Sequence, residues 1–282
     1  MFPCFFASDL HGQRGRYQKL FNTLAAERPR AVFLGGDLLP HPLEKDDPRD
    51  FVIDFLAAGF QDLANQLGPA APRVMLIPGN DDPRAMETAF LEAETGGIWH
   101  YLHNRRVVLD GFPVYGYACV PPTPFPLKDW ERYDVSRHVD PGCISPEEGS
   151  RSVAVPAHII RHATIQEDLD HLVGLDDLSR AVFLFHAPPY QTSLDRAALD
   201  GKHIDHVALD VHVGSIAIQR FIRKRQPWLT LHGHIHESTR LTNAWRDRIG
   251  RTHAFSAAHD GSELALVRFD LEDPDRASRE LL

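Results

Sequence analysis

Asp9-x-His11 and His234-x-His236 place two pairs of metal-binding side chains at the same short spacing, far apart in the chain. Between them stand Gly36-Asp37, Gly79-Asn80 and His186. These seven side chains (Asp9, His11, Asp37, Asn80, His186, His234 and His236) offer carboxylate, amide or imidazole donors and no thiolate. That set favours Mn, Fe, Zn, Co or Ni over a pure Mg or Ca site. In an extended backbone, residues at i and i+2 project to one side, so each pair can address one cavity and even two ions within it. Asp37 adds a second carboxylate, suited to bridging two cations. Two carboxylates against two divalent ions leave about two positive charges uncompensated, a surplus that acidifies bound water and draws in a phosphate.

Each donor follows a short apolar run: 2–7, 31–34, 74–77, 181–185 and 228–231. Buried strands of an α/β sheet look like these runs, and open α/β sheets bind ligands beyond the carboxyl ends of their strands. The expectation is therefore that the seven ligands meet at one edge of one sheet. Helical patterns separate the runs. They cover 16–27, 48–66 with Pro48 at the first helical position, and a stretch from Asp82-Pro83 to about 94, with Asp82 as its N-cap. Thr164 to Glu167 reads as a capping box, and Ser215 caps a helix over 216–225. The stretches 107–109, 114–120, 252–256 and 264–269 look like strands without intervening helices, which suggests a second, partly antiparallel sheet packed on the first. Residues 121–156 read as a long ordered excursion or lid beside the site. The polar tail 272–282 is expected to be loosely attached.

The remaining features narrow the class. The chain has 282 residues, 43% hydrophobic and 24% charged, as a soluble protein with a full core should. Its net charge of -9 disfavours binding to long nucleic acid, which needs a basic surface. Cys4, Cys119 and Cys143 have no paired spacing and suggest neither a disulfide framework nor a zinc knuckle. Neither a signal peptide nor an 18-residue apolar run is apparent, so the expectation is a cytoplasmic location with no membrane partner. His232 and the histidines away from strand ends, such as His100, His103 and His212, read as packing or surface residues.

Asp9-x-His11, Gly36-Asp37, Gly79-Asn80, His186 and Gly233-His234-x-His236 resemble, in order, the motifs of calcineurin-like metallophosphoesterases. Thr123-Pro124-Phe125, Pro188-Pro189-Tyr190 and Gly214-Ser215 look like the Icc-related branch of that superfamily. The resemblance implies one domain over 1–282, a four-layer α/β/β/α sandwich with two central mixed β-sheets. It also implies two divalent metal ions, one held by Asp9, His11, Asp37 and His236, the other by Asp37, Asn80, His186 and His234.

Two segments depart from the family pattern. Many members carry a histidine after the asparagine, where it contacts the substrate phosphate; here Asp81 stands in that place. A carboxylate beside two cations is a poor general acid. Further on, Ser256 to Gly261 replaces a common Asn-Pro-Gly, and His259 becomes a candidate substitute acid. The expected function is a metal-dependent phosphodiesterase on a small phosphate-ester substrate, with metal-activated hydroxide as nucleophile. A phosphomonoesterase on the same site is the alternative, and a catalytically silent protein-binding scaffold a further one.

Overall fold

The computed structural model describes residues 1–41 and 47–282. Its strands, in chain order, begin with β1 (Pro3–Ala7), β2 (Ala31–Gly35), β3 (Arg73–Ile77), β4 (His100–Tyr101), β5 (Arg105–Leu109), β6 (Phe112–Tyr117) and β7 (Val182–Phe185). A small hairpin of β8 (His203–Ile204) and β9 (Val207–Ala208) follows. The chain then adds β10 (Leu229–His232), β11 (Arg246–Ile249), β12 (Thr252–Ser256), β13 (Ala265–Asp270) and β14 (Asp273–Leu281). One sheet has the order β14-β13-β1-β2-β3-β4 and the other β11-β12-β10-β7-β6-β5. Both are mixed. β1 to β4 run parallel with antiparallel β13 and β14 at one side, while β6, β7, β10 and β12 run parallel between antiparallel β5 and β11.

Side chains alternate across the first sheet as a two-residue period requires. Cys4, Phe6, Phe33, Met75 and Ile77 enter the core shared with the second sheet. Phe5, Ala7, Val32, Leu34, Val74 and Leu76 face the opposite way. There they meet Tyr17, Leu20 and Leu24 of the helix Arg14–Glu27, and Phe51, Phe60 and Leu63 of the helical stretch 48–67. On the far side of the second sheet, Leu169 and Phe221 come from the helices Ile165–Val173 and Ile216–Arg225. The result is the expected four-layer sandwich. Thr164 and Ser215 cap the two latter helices, accepting from the N–H groups of Glu167 and Ile218. No helix among the described residues is long and apolar enough to cross a membrane.

Three expectations about pairing need correction. The five ligand-bearing strands are divided between the sheets, β1, β2 and β3 in one and β7 and β10 in the other. Apolar runs buried on both faces carry no local sign of their partners, so β7 could equally have continued the first sheet; it pairs instead with β6. Residues 265–270 join the first sheet beside β1, not the second. The tail is a strand: β14 pairs antiparallel with β13 from Ala265 opposite Leu281 to Asp270 opposite Asp273. It lay hidden because an edge strand keeps charged side chains in water, and only Pro274 and Ala277 turn inward.

Residues 121–156 contain no helix or strand, yet they are tied down at their core. Lys128 and Glu131 are wholly buried and paired at 2.6 Å. Lys128 also donates to the Thr123 carbonyl, and Glu131 accepts from the Thr123 N–H and hydroxyl. Removing one member of such a pair leaves an uncompensated buried charge. Lys128→Met should therefore cost about 3–5 kcal/mol of unfolding free energy in urea titrations. Changing both residues to apolar ones should cost less; an equal or larger loss in the double variant would refute this account.

Candidate metal centre

The loops after β1 and β2 continue the sheet's pairing beyond its edge. Asp9 N–H donates to the Gly36 carbonyl at 2.9 Å and His11 N–H to the Asp37 carbonyl at 2.8 Å. This sets the two aspartates side by side. The backbones at Asp9, His11, Asp37 and His234 all lie at positive φ, between 46° and 74°. Non-glycine residues rarely adopt that region, and it concentrates where a site over-determines the chain. The extended geometry expected for Asp9-x-His11 and His234-x-His236 is thus replaced by tight turns. The outcome for the pairs survives the change.

Two groups of side chains converge. Asp9, His11, Asp37 and His236 form one, and Asp37, His186 and His234 the other, with ligating atoms inside each group all within 4.8 Å of one another. Asp37 belongs to both. Asn80 completes the second, its Oδ1 lying 3.0 Å from His186 Nε2. All seven residues singled out in the sequence meet here, drawn from loops past the carboxyl ends of interior strands of both sheets.

The donor chemistry fits cations. His186 Nδ1 lies 2.7 Å from the Gly35 carbonyl, to which it can only donate. In the neutral ring the Nε2 lone pair then faces Asn80 Oδ1 and, at 3.2 Å, Asp37 Oδ2. Electron-pair donors so placed repel unless a positive charge sits among them. His11 Nε2 and His236 Nε2 lie 3.1 Å apart, with His236 Nε2 3.3 Å from Asp9 Oδ1. Asp9 Oδ2 is buried with no hydrogen-bond partner, a costly orphan unless a cation uses it. Without ions, protons answer the same demand. Burial opposes charge on His186 and His236, but Asp37 and Asp9 prevail and raise them to about 10 and about 9. Burial likewise opposes ionisation of Asp9 and Asp37, and the facing histidines still hold both below the ordinary carboxylate range.

Close approach of the loops depends on glycine. A Cβ on Gly79 would overlap Asp37 Oδ1 and lie 2.7 Å from His186 Nε2. One on Gly233 would overlap Ser8 Oγ and lie 2.7 Å from Asp9 Oδ2.

Asp82 does not cap the helix that follows it. Its buried carboxylate accepts from the N–H groups of Leu38, Leu39 and Gly79, binding the loop of Asp37 to the loop of Asn80. A 3-10 turn over Arg84–Met86 leads into the helix Glu87–Thr95 instead. Asp81 sits in the site. Its Oδ1 accepts from Asn80 Nδ2 at 2.8 Å, which turns the amide oxygen toward His186, and its Oδ2 lies 3.7 Å from His11 Nδ1. His259 is engaged elsewhere, 3.0 Å from Glu263. His232 packs in the core as expected, bonded to the Ala187 carbonyl and stacked on Phe185. Sequence reasoning missed Arg16, which is buried and donates to the carbonyls of Asp9 and Gly261. It also missed Trp130, whose indole N–H donates to the Asp82 carbonyl at 2.7 Å and seats the excursion beside the site. Neither carries a motif that would have revealed it.

The family model for calcineurin-like phosphoesterases matches residues 2–238. The chain belongs to that family. Among solved structures, one crystal structure is 17% identical with a TM-score of 0.62, covering 99% of this chain and 98% of its own. The crystal structure of TT1561 of Thermus thermophilus is 18% identical with a TM-score of 0.57, again covering 99% and 98%. At such identities the likeness is one of fold. No curated protein matches the sequence.

Proposed function

We propose that the chain is a dinuclear-metal-dependent phosphodiesterase acting on small phosphate esters, with phosphomonoester hydrolysis at the same site as the second reading. The observation that supports it most is the double membership of Asp37 in two converging donor groups. Asp9, His11, Asp37 and His236 would hold one ion, and Asp37, Asn80, His186 and His234 the other. Two such cations supply Lewis-acid polarisation of the phosphoryl oxygens and a nucleophilic water near neutral pH. The protein's own part is to hold these donors at fixed positions, so that little reorganisation is needed as charge develops on the phosphoryl group. We read 1–282 as one domain, with 121–156 forming a wall of its site.

Asp81 acts by orientation in this scheme. One of its oxygens is committed to the Asn80 amide, which it orients, and the other lies 3.7 Å from His11 Nδ1, beyond hydrogen-bond distance. Carboxylates placed behind ligands in this way tune metal sites. His259 is engaged by Glu263, so neither of the two candidate acids read from the sequence is placed to protonate the leaving group. Esters with acidic leaving groups should therefore be preferred. With manganese or zinc added, bis(p-nitrophenyl) phosphate should turn over and EDTA should stop it. Dialkyl phosphates should be hydrolysed far more slowly; equal rates for aryl and alkyl esters would remove the leaving-group argument, and EDTA-insensitive turnover the whole reading.

A further inference from the structure

Beyond the ends of β6 and β7 lies a cavity of ≈ 170 Å³ between the excursion and the loop that follows His186. Its tie to the metal centre along the chain is short. Tyr190, on its wall, is four residues past His186, and four residues of chain span at most about 14 Å. Pro121, Pro122, Leu199 and Val213 give it apolar sides. The rings of Tyr190 and His212 form a corner, with centroids 6.1 Å apart and planes at 75°.

That corner is held in place from behind. His212 Nδ1 lies 2.8 Å from Asp195 Oδ1, and Asp195 is wholly buried, accepting also from the N–H groups of Gln191, Thr192 and Gly214. The Tyr190 hydroxyl donates to Asp210, which lines the cavity together with Asp140 and with His138, whose Nε2 lies 3.4 Å from Asp140. Among the described residues no lysine or arginine lines it.

An aromatic corner flanked by carboxylates and apolar walls is the environment in which alkylammonium ions bind. A second phosphate or a carboxylate would meet Asp140 and Asp210 and be repelled. With the phosphate of a substrate at the metal centre, a cationic substituent of the same molecule would have this cavity to enter. We propose that this cavity seats the alkylammonium group of a phosphodiester of the choline or ethanolamine type. The inference rests on the phosphoesterase reading for the position of the phosphate.

Two measurements on the full chain test it. Choline chloride alone, titrated calorimetrically, should bind saturably to the wild type and at least about tenfold more weakly to Asp210→Asn and to Val213→Trp. In parallel, p-nitrophenylphosphorylcholine and methyl p-nitrophenyl phosphate release the same phenol, so their kcat/KM ratio reads the substituent alone. The ratio should be about tenfold or more in the wild type and fall toward one in both variants. Absence of choline binding, or binding that neither variant weakens, overturns the assignment, as does a wild-type ratio near one. Should choline bind and the variants weaken it while neither ester is hydrolysed with added manganese, the cavity assignment stands and the phosphoesterase reading falls.

Discussion

Asp37→Asn is expected to lower turnover of bis(p-nitrophenyl) phosphate by at least about 1,000-fold, equivalent to about 4 kcal/mol of lost transition-state stabilisation. The substitution keeps the side chain's size, and an amide oxygen can still accept from the Asp81 N–H as Asp37 Oδ1 does now at 2.8 Å. What it removes is charge at the one residue common to both donor groups. Metal content should fall from about two ions per chain to one or none, because the remaining donors of the second group are neutral: Asn80, His186 and His234. His186 supplies an independent sign. Its raised pKa in the ion-free protein is due chiefly to Asp37 working against burial, so in the variant its ring should titrate well below about 10 when followed by NMR without metal. A variant that retains two ions and wild-type turnover would disprove the bridging role.

Much of this site was legible in the residues alone, for a physical reason. Strands buried on both faces are apolar throughout, so Asp37, Asn80 and His186 stand out as the first polar groups past their runs, and Asp9 follows its run after Ser8 alone. The two-residue spacing then placed each pair at one cavity, while the division of the seven into two groups came from the family resemblance. What the sequence concealed was non-local. Nothing in residues 182–185 says whether β7 pairs with β3 or with β6, so the two-sheet origin of the site was unreadable. Polar β14 resembled a loose tail because an edge strand needs few inward side chains. Asp82 looked like a helix cap since Asp-Pro commonly begins a helix; two of its three partners, Leu38 and Leu39, are more than forty positions away. Arg16 was invisible for the same reason, its two acceptors lying on loops from opposite ends of the chain.

The glycines of the motifs admit a sharper test than the ligands themselves, since they touch no ion. Gly79 does not occupy the left-handed region, so alanine is permitted there by the backbone alone. The added methyl has nowhere to go: it meets the carboxylate of Asp37 and the ring of His186 at once. It also lies 2.4 Å from the Asp37 backbone nitrogen, which side-chain motion cannot relieve, so the loops of Asp37 and Asn80 must separate and the second donor group opens. Gly79→Ala should weaken binding of the more loosely held ion by at least about 100-fold, or about 2.7 kcal/mol. Turnover should fall in step, while the core strands, which the methyl does not reach, keep the protein folded. Gly15→Ala is the matched control. It lies in the helix Arg14–Glu27 with nothing within 4 Å of a new Cβ, so it should leave metal content intact and add about 0.5–1 kcal/mol of stability. Equal metal affinities for the two alanine variants would mean that the crowding around Asp37 and His186 is not what shapes the site.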